Sequence, residues 1–211
     1  MSLTQEILVL MKKGESLKRI SRSGWDLAGV DCIRKESVGD HSFGTIMISL
    51  LISKALATQG IQVDISKIVS IATLHDIPEV MISDIPRKAI ELGGELFKKA
   101  KKEAELKAIE SISEETELFG EWILNTWTEL AERETLESRI VIGADIIDML
   151  VHAISLQSSG VSPETLNQFF VSSKGPIMNL ELEIIEDIFW ELYKEHIDMA
   201  NHKGMKLERI N

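Results

Sequence analysis

The sequence has little of what β-rich, disulfide-stabilised or membrane-spanning proteins are built from. Its 211 residues include only 13 glycines, 4 prolines and a single cysteine, Cys32. So few turn-forming residues, in a chain rich in Leu, Ile, Glu, Lys and Ala, favour helices over a β architecture. One cysteine excludes an intrachain disulfide and fits a reducing compartment. No apolar run approaches the ~20 residues of a spanning helix and no targeting segment is evident. We therefore expect a cytoplasmic protein with no membrane partner.

Basic residues are also scarce. There are 23 Lys and Arg against 34 Asp and Glu, which gives a formal net charge of −11. Proteins that wrap nucleic acid carry a basic face, so we expect no nucleic-acid polymer as partner. A hydrophobic content of 44% is typical of a globular chain. The length suits one well-filled core, and no repeat or linker divides the chain. The sequence predicts a single domain over residues 1–211, folded as an all-α bundle of about seven to nine helices.

Periodicity, capping residues and breakers predict where the main helices begin and end. The predicted segments are residues 2–13 ended by Gly14, 37–60, 64–76, 94–113, 114–132, a helix that includes 138–152, a short helix through 169–170 broken by Gly175 and Pro176, and 180–199. His196 and His202 lie near the end of the last segment, where a protonated histidine is favourable.

The sequence LHDIPE at residues 74–79 follows an apolar run that is typical of a buried helix. Buried ionisable groups must be paired, neutralised or bound to metal. Glu79 lies one helical turn beyond His75 and Asp76, so three potential ligands or proton-transfer groups converge. Pro78 either kinks the helix or begins a new short one, and in both cases these groups stay close. By itself, a His–Asp pair is more often found without a metal than with one.

A second polar stripe lies on an apolar helix at residues 138–152. Asp145, Asp148 and His152 follow one another at single-turn spacing, so they share one face. A buried aspartate needs a partner for its charge. An internal salt bridge to Arg139 or another basic residue is one solution and a metal is the other.

The most basic stretch of the chain covers residues 17–36 and also contains Trp25. One interpretation is a solvated loop with Trp25 packed in the core. The other is an anion-binding loop, because arginine matches phosphate oxygens and an indole can cover a sugar or base. His41 follows this stretch, in the first turn of its predicted helix, where it is either a helix-end or core residue or a ligand.

Together, His41, His75, Asp76 and Asp145 form a mixed nitrogen and oxygen set from three predicted helices. Such a set suits a borderline divalent metal and leaves positions open for water. A metal of this kind activates water for attack on a phosphoryl group near neutral pH.

Four ordered motifs now resemble a known family. ESVGDHS at 36–42, LHDIPE at 74–79, SDIP at 83–86 and AD at 144–145 are similar to the motifs of HD-domain metal-dependent phosphohydrolases, and most of all to their 5′-deoxynucleotidase branch. The resemblance covers about residues 22–152. It departs from the family at Ser83, where glycine is usual, at Asp40, where glutamate is common, and at His152, where glutamine is frequent. Arg22 and Trp25 are adjacent in some members and are separated here by two residues.

The resemblance implies the following roles and partners. The metal, one of Mn, Co, Ni, Fe or Zn, would be held by His41, His75, Asp76 and Asp145. Catalysis would involve Glu79 and Asp84, and the substrate would be bound by Arg22, Trp25 and Asp84. Relatives are commonly dimers, so a homodimer is a further expectation.

The sequence therefore predicts a metal-dependent phosphomonoesterase that converts (deoxy)nucleoside 5′-monophosphates to nucleoside and phosphate through a metal-activated water. A first alternative is another phosphate ester, such as guanosine tetraphosphate, a cyclic nucleotide or a dNTP. A polyphosphate needs more cations than Arg22, Arg34 and Lys35 readily supply. A second alternative is a non-catalytic helical interaction module with a structural metal.

Overall fold

The computed structural model describes residues 1–31, 34–207 and 210, so Cys32 lies outside the described residues. In the described part the chain is helical, apart from connecting segments and one isolated antiparallel bridge between Ser21 and Ser37. The helices are α1 Leu3–Leu17, α2 Ser23–Leu27, α3 Val38–Thr58, α4 Ile65–Leu74, α5 Glu79–Ile82, α6 Arg87–Glu114, α7 Gly120–Glu132, α8 Leu136–Ser158, α9 Pro163–Met178 and α10 Glu183–His202.

The all-α fold predicted from the sequence is confirmed. Two of the described helices, α2 and α5, have only five and four residues. The others are the long helices of the bundle, and their number agrees with the predicted range.

Helices α3 and α8 form the centre of the fold. They pack against each other, α4 lies against both, and α9 and α10 cover α8. Fully buried side chains such as Ile52, Ile68 and Leu150 join these helices in a first hydrophobic cluster. A second cluster, which includes Ile109 and Ile123, joins α6 and α7 to the end of α1.

The end of α4 lies where the two clusters meet. Ile71 and Ala72 belong to the first cluster, whereas Leu74 and Ile77 belong to the second. The polar pair that follows α4 is therefore enclosed by hydrocarbon on both sides, which fixes its position and limits its access to water.

Helices α3 and α8 are long and apolar enough to cross a membrane, judged by length and composition. This differs from the sequence-based expectation that no such run exists. The core helices of soluble proteins meet the same criterion. Since α3 and α8 pack at the centre of the bundle, their hydrophobicity has a structural explanation within the fold.

The predicted start of α3 is confirmed and has a clear cause. Ser37 is the N-cap, and its hydroxyl oxygen accepts from the backbone N–H of Asp40 at 3.0 Å. The Asp40 carboxylate in turn accepts from the backbone N–H of Ser37 at 3.0 Å. This reciprocal capping box satisfies two backbone donors and defines where the helix begins.

Two predicted helix ends are wrong. Helix α1 continues through Gly14 to Leu17, because the buried side chain of Leu17 packs into the second cluster and outweighs the low helix propensity of glycine. Helix α9 continues through Gly175 and Pro176 to Met178. Pro176 cannot donate to the carbonyl of Ser172, and the Arg87 guanidinium donates to that carbonyl instead, at 3.2 Å.

Other boundaries differ by part of a helix. Helix α6 begins at Arg87 and is kinked at Gly94, whose φ of 62° and ψ of −159° are not helical. Helix α7 begins at Gly120 instead of residue 114. His202 lies in the last turn of the last helix, as predicted, whereas His196 lies further from its end and is fully buried.

Candidate metal centre and active site

Side chains from α3, the end of α4 and α8 converge on one point. One ligand atom each from His41, His75 and Asp145 lie within 4.8 Å of one another. Asp145 Oδ1 is 3.0 Å from His41 Nε2. Asp76 Oδ2 is 3.1 Å from His75 Nε2 and 3.8 Å from His41 Nε2. The structure therefore brings together the four residues that the resemblance named as metal ligands.

After α4 the chain begins a new short helix after Pro78, which is one of the two alternatives considered for this proline. Helix α4 ends at Leu74, His75 is its C-cap, and the new short helix α5 begins at Glu79 directly after Pro78. The backbone N–H of Glu79 donates to the carbonyl of Asp76 at 3.0 Å, which keeps this turn tight.

The atoms that face the centre of the cluster lack hydrogen-bond partners among the described residues. They are His41 Nε2, His75 Nε2 and Asp76 Oδ2, and all three are buried. Buried polar atoms without partners are costly and rare in native proteins. Two imidazole nitrogens and carboxylate oxygens that converge in this way fit a divalent metal ion in both donor chemistry and number.

Each histidine is held through its other ring nitrogen. His75 Nδ1 is 2.8 Å from the backbone carbonyl oxygen of Ala72. His41 Nδ1 is 2.7 Å from Asp148 Oδ2. Both partners are acceptors, so Nδ1 carries the hydrogen in each ring and Nε2 is directed to the cluster centre.

The cluster is strongly coupled electrostatically. Burial and the Arg22 charge oppose protonation of His41, but the nearby carboxylates of Asp145 and Asp148 outweigh them and raise the pKa of His41 to about 10. Burial would raise the pKa of Asp76, but the neighbouring His75, His41 and Arg22 hold it well below its usual value. Asp145 behaves in the same way, since His41 outweighs burial and lowers the pKa of that carboxyl.

Arg22 provides a cation beside the cluster. It is the N-cap residue of α2, and its Nη1 lies 3.7 Å from Asp76 Oδ2. Burial opposes its charge, but Asp76, Asp145 and Asp84 outweigh burial and raise its pKa further. This guanidinium therefore remains charged next to the group of carboxylates, where an anionic substrate would meet it.

Glu79 is close to the same carboxylates. Its Oε2 is buried without a hydrogen-bond partner among the described residues. Burial, followed by the charges of Asp76 and Asp84, raises the pKa of Glu79 to about 9. A carboxyl of this kind holds its proton near neutral pH and can deliver it.

Asp84 fixes the segment that carries Arg22. Its Oδ2 accepts from the backbone N–H of Ser23 at 2.5 Å and from the Ser23 hydroxyl at 2.8 Å. The Ser23 hydroxyl also lies 3.1 Å from the Asp84 carbonyl. Asp84 thus joins the loop after α5 to the start of α2, on the side of the cluster occupied by Arg22.

Trp25 lies in the core, with only 5% of its surface exposed. Its indole N–H donates to Glu36 Oε2 at 2.6 Å. Its ring packs against Phe169 and His152, with centroid distances of 4.4 and 5.2 Å. This arrangement corresponds to the alternative in which Trp25 packs in the core.

The proposed salt bridge to Arg139 does not occur in this arrangement. Arg139 Nη1 donates to the backbone carbonyl of Leu180 at 3.0 Å. Asp145 and Asp148 turn instead towards the two nitrogens of His41.

Two residues near the site were missed from the sequence. Glu36 is part of the ESVGDHS motif but had no predicted role, and in the structure its carboxylate accepts from the indole N–H of Trp25. Lys101 lies on α6, which the sequence predicted to be a solvated face without chemistry. Its charge acts on Glu79, and it forms an ion pair with Glu105. Nothing in the local pattern separates Lys101 from the other Lys–Glu pairs of that helix.

Comparisons with known proteins agree with this geometry. Residues 14–184 match the family profile described as HD domain. A Pyrococcus horikoshii protein of known structure is 30% identical, with a TM-score of 0.73 over 92% of this chain and 99% of that one. A conserved hypothetical protein from Pyrococcus furiosus is 31% identical, with a TM-score of 0.73 over 89% of this chain and 99% of that one. The curated 5′-deoxynucleotidase HDDC2 of Danio rerio is 28% identical over 180 residues, which is 83% of this chain and 82% of the relative. The profile match covers most of the sequence, and the chain belongs to the HD domain family.

Proposed function

We propose that this chain is a metal-dependent 5′-deoxynucleotidase, which hydrolyses deoxynucleoside 5′-monophosphates to nucleoside and phosphate. The observation that carries the proposal is the set of buried potential ligand atoms on His41, His75 and Asp76 that lack hydrogen-bond partners among the described residues, next to the partly buried guanidinium of Arg22. The name of the Danio rerio relative supports the same reaction. We assign His41, His75, Asp76 and Asp145 as the metal ligands.

The ligand set explains what a divalent ion would contribute. When bound, such an ion lowers the pKa of water and polarises a phosphoryl oxygen. Asp145 is the most accessible ligand, with 40% of its side chain exposed, so substrate and water would approach from its side. Mn, Co, Ni, Fe and Zn all accept this mixture of nitrogen and oxygen ligands.

Arg22 would bind the phosphate. Its guanidinium presents several N–H donors in one plane, which matches the oxygens of a phosphate monoester. Its neighbours Asp76, Asp145 and Asp84 keep it charged. A bound phosphate would be a further partner for this guanidinium, and the guanidinium would offset the negative charge that develops on the phosphoryl group during the reaction.

Glu79 would serve as the proton donor to the leaving group. Because burial and nearby carboxylates raise its pKa to about 9, it is protonated near neutral pH. Transfer of this proton to the 5′ oxygen would allow the nucleoside to leave as a neutral alcohol. Asp84 would orient the sugar with the carboxylate oxygen that does not hold Ser23.

We assign Trp25 a supporting role. Its ring is packed against Phe169 and His152, so it does not offer a face to a sugar in this conformation. It would instead fix the short helix that begins next to Arg22.

The test is a substrate panel with the purified protein loaded in turn with Mn, Co, Ni, Fe and Zn. We expect phosphate release from deoxynucleoside monophosphates and less from ribonucleotides. The same panel includes guanosine tetraphosphate, cyclic nucleotides and dNTPs, because preferred turnover of one of these would replace the proposed substrate. Absence of turnover with every metal and every substrate would overturn the proposal.

A ligand variant separates an enzyme from an interaction module with a structural metal. Asp76→Ala is expected to lose both metal content, measured by elemental analysis, and phosphatase activity. Asp198→Ala, on the exposed face of α10, is the matched control and should keep both. Loss of metal from Asp76→Ala with full activity would contradict a catalytic metal.

We further propose that the chain is a single-domain cytoplasmic protein that forms a homodimer through α3. Phe43, Met47 and Leu51 recur every fourth residue on this helix, opposite the face that carries His41, and they are 67%, 45% and 62% exposed. A twofold interface uses the same patch on both subunits, so this exposed apolar stripe would pack against the same stripe of a second copy.

The dimer is tested by light scattering coupled to size-exclusion chromatography. We expect a mass of twice 23.6 kDa for the wild type and 23.6 kDa for Leu51→Lys. Leu118→Lys is the control, because Leu118 is also 62% exposed but lies between α6 and α7. A monomeric wild type would contradict the proposed assembly.

A further inference from the structure

The two candidate metal-binding imidazoles are oriented by partners of different kinds. His75 is held by the main chain, through the carbonyl of Ala72 one turn earlier. His41 is held by a side chain, the carboxylate of Asp148, which lies 107 residues later in the sequence. The orientation of His41 therefore depends on one residue outside the ligand set.

The geometry of His41 leaves one role for each nitrogen. The ring is fully buried on α3 and faces two carboxylates of α8 that are one turn apart. Asp148 Oδ2 is 2.7 Å from Nδ1, whereas Nε2 faces Asp145 and Asp76 at the cluster centre. A carboxylate accepts and does not donate, so Nδ1 keeps its hydrogen and Nε2 is the nitrogen left to bind a metal.

Gly44 makes the approach of Asp148 possible. It lies one turn after His41 on α3, and a Cβ atom placed on it would be 1.8 Å from Asp148 Oδ1 and 2.5 Å from Asp148 Cγ. Any side chain at this position would occupy the space of the carboxylate. Glycine is less favourable than alanine inside a helix, and here its missing side chain provides the room for a buried contact.

We propose that Asp148 is a positioning residue of the metal centre, which accepts the Nδ1–H of His41 and so presents Nε2 of that ring to the metal, in a space left open by Gly44. This inference rests on the proposed metal-dependent function, but it concerns the binding of the metal and not the choice of substrate. Outer partners of this kind typically change metal affinity 10–100-fold when they are replaced.

The first test measures metal affinity by titration calorimetry with Mn²⁺ and metal-free protein. Asp148→Asn keeps the shape of the side chain but offers an N–H₂ group that can stabilise the opposite tautomer of His41. We expect affinity to fall by about 10–100-fold, with the metal-free thermal unfolding midpoint used to verify folding. Asp198→Asn, the same change on the exposed face of α10, should bind Mn²⁺ like the wild type.

The second test uses the glycine. Gly44→Ala is expected to displace the Asp148 carboxylate and to weaken Mn²⁺ binding by a similar factor. Since both changes remove the same contact, the double variant should be no weaker than the weaker single variant. Wild-type affinity in Asp148→Asn, or losses that multiply in the double variant, would overturn the proposal.

A third measurement needs no variant and remains informative if the variants do not fold. Nitrogen-15 NMR of the histidine rings in the wild type loaded with Zn²⁺ should show a protonated Nδ1 and a metal-bound Nε2 for His41. A metal-bound Nδ1 would overturn the inference. If the wild type binds metal as described but hydrolyses no nucleotide, the proposed function fails and the role of Asp148 stands.

Discussion

Two fully buried histidines in this protein have opposite properties. His41 lies in the cluster between α3 and α8, where Asp145 and Asp148 outweigh burial and raise its pKa to about 10. His196 lies between α8, α9 and α10, where burial alone lowers its pKa to about 4. Its Nδ1–H donates to Gln157 Oε1 at 2.5 Å, and its ring stacks on Phe170 with a centroid distance of 4.3 Å.

The difference teaches that burial does not determine what a histidine does. A carboxylate partner favours a positive charge, whether that charge is a proton or a metal ion, whereas an amide partner leaves the ring neutral. Both rings have an Nε2 atom without a hydrogen-bond partner among the described residues. At His41 that atom faces further carboxylates, and at His196 it does not.

The largest expected effect comes from replacing each of the two histidines. His41→Gln should lower kcat/KM on a deoxynucleoside monophosphate by more than about 100-fold, which is the upper range for loss of an outer partner alone. His196→Gln should leave kcat/KM unchanged, provided that circular dichroism shows a folded protein. A comparable loss in folded His196→Gln would contradict the distinction between the two sites.

The second expected effect is a dependence of stability on pH. The unfolded chain protonates His196 near pH 6.5, whereas the folded chain does so only near pH 4. The unfolded state therefore binds the extra proton between these values, and the free energy of unfolding falls as pH decreases through this window, by about 3 kcal/mol. Urea unfolding of wild type and His196→Gln at several pH values checks this, since the variant should lack that part of the slope. Equal slopes would show that His196 does not titrate as described.

A third variant makes the two regions alike. Gln157→Glu gives His196 a carboxylate partner, and we expect its pKa to rise by about two units. An NMR titration of the ring C–H signals measures the shift directly. Gln168→Glu, on the exposed face of α9, is the matched control and should leave His196 unchanged. An unchanged His196 pKa in Gln157→Glu would mean that the partner is not decisive.

The smallest expected effect concerns the backbone beside the site. Ser83 has a φ of 63° and a ψ of 170°, a region that is almost restricted to glycine. Gly94 adopts nearly the same φ without that penalty. Ser83→Gly should stabilise the protein by about 1 kcal/mol, which raises the thermal midpoint by about 2–4 °C for a chain of this size. Ser83→Ala keeps the Cβ atom and should give no such gain, and a gain there would argue against backbone strain.

Much of the fold could be predicted because its signals are local. The capping box of Ser37 and Asp40 defines the start of α3, and the spacing of Asp145 and Asp148 places both on one face of α8. The end of α9 could not be predicted, because the carbonyl left free by Pro176 is satisfied by Arg87, 85 residues away from Ser172.

The sequence predicted which residues form the site, but not which atoms of those residues contact one another. Motif spacing brought His41, His75, Asp76 and Asp145 together, but it could not assign Asp145 and Asp148 to different nitrogens of one ring. That assignment depends on the register between α3 and α8, which no local pattern encodes. For the same reason, the sequence did not predict the burial of His196, whose partner Gln157 is 39 residues away.

The hydrogen bond from Arg87 to Ser172 has a consequence for the loop that contains Asp84. Within this short connection, Asp84 is hydrogen-bonded to Ser23 of α2. Arg87, which follows the connection, is hydrogen-bonded to Ser172 of α9. Because Pro176 has no N–H, the carbonyl of Ser172 is left without its helical partner and is available to accept from Arg87. The loop that contains Asp84 is thus tied to the C-terminal half of the molecule, so a displacement of α9 can be transmitted through Arg87 to Asp84.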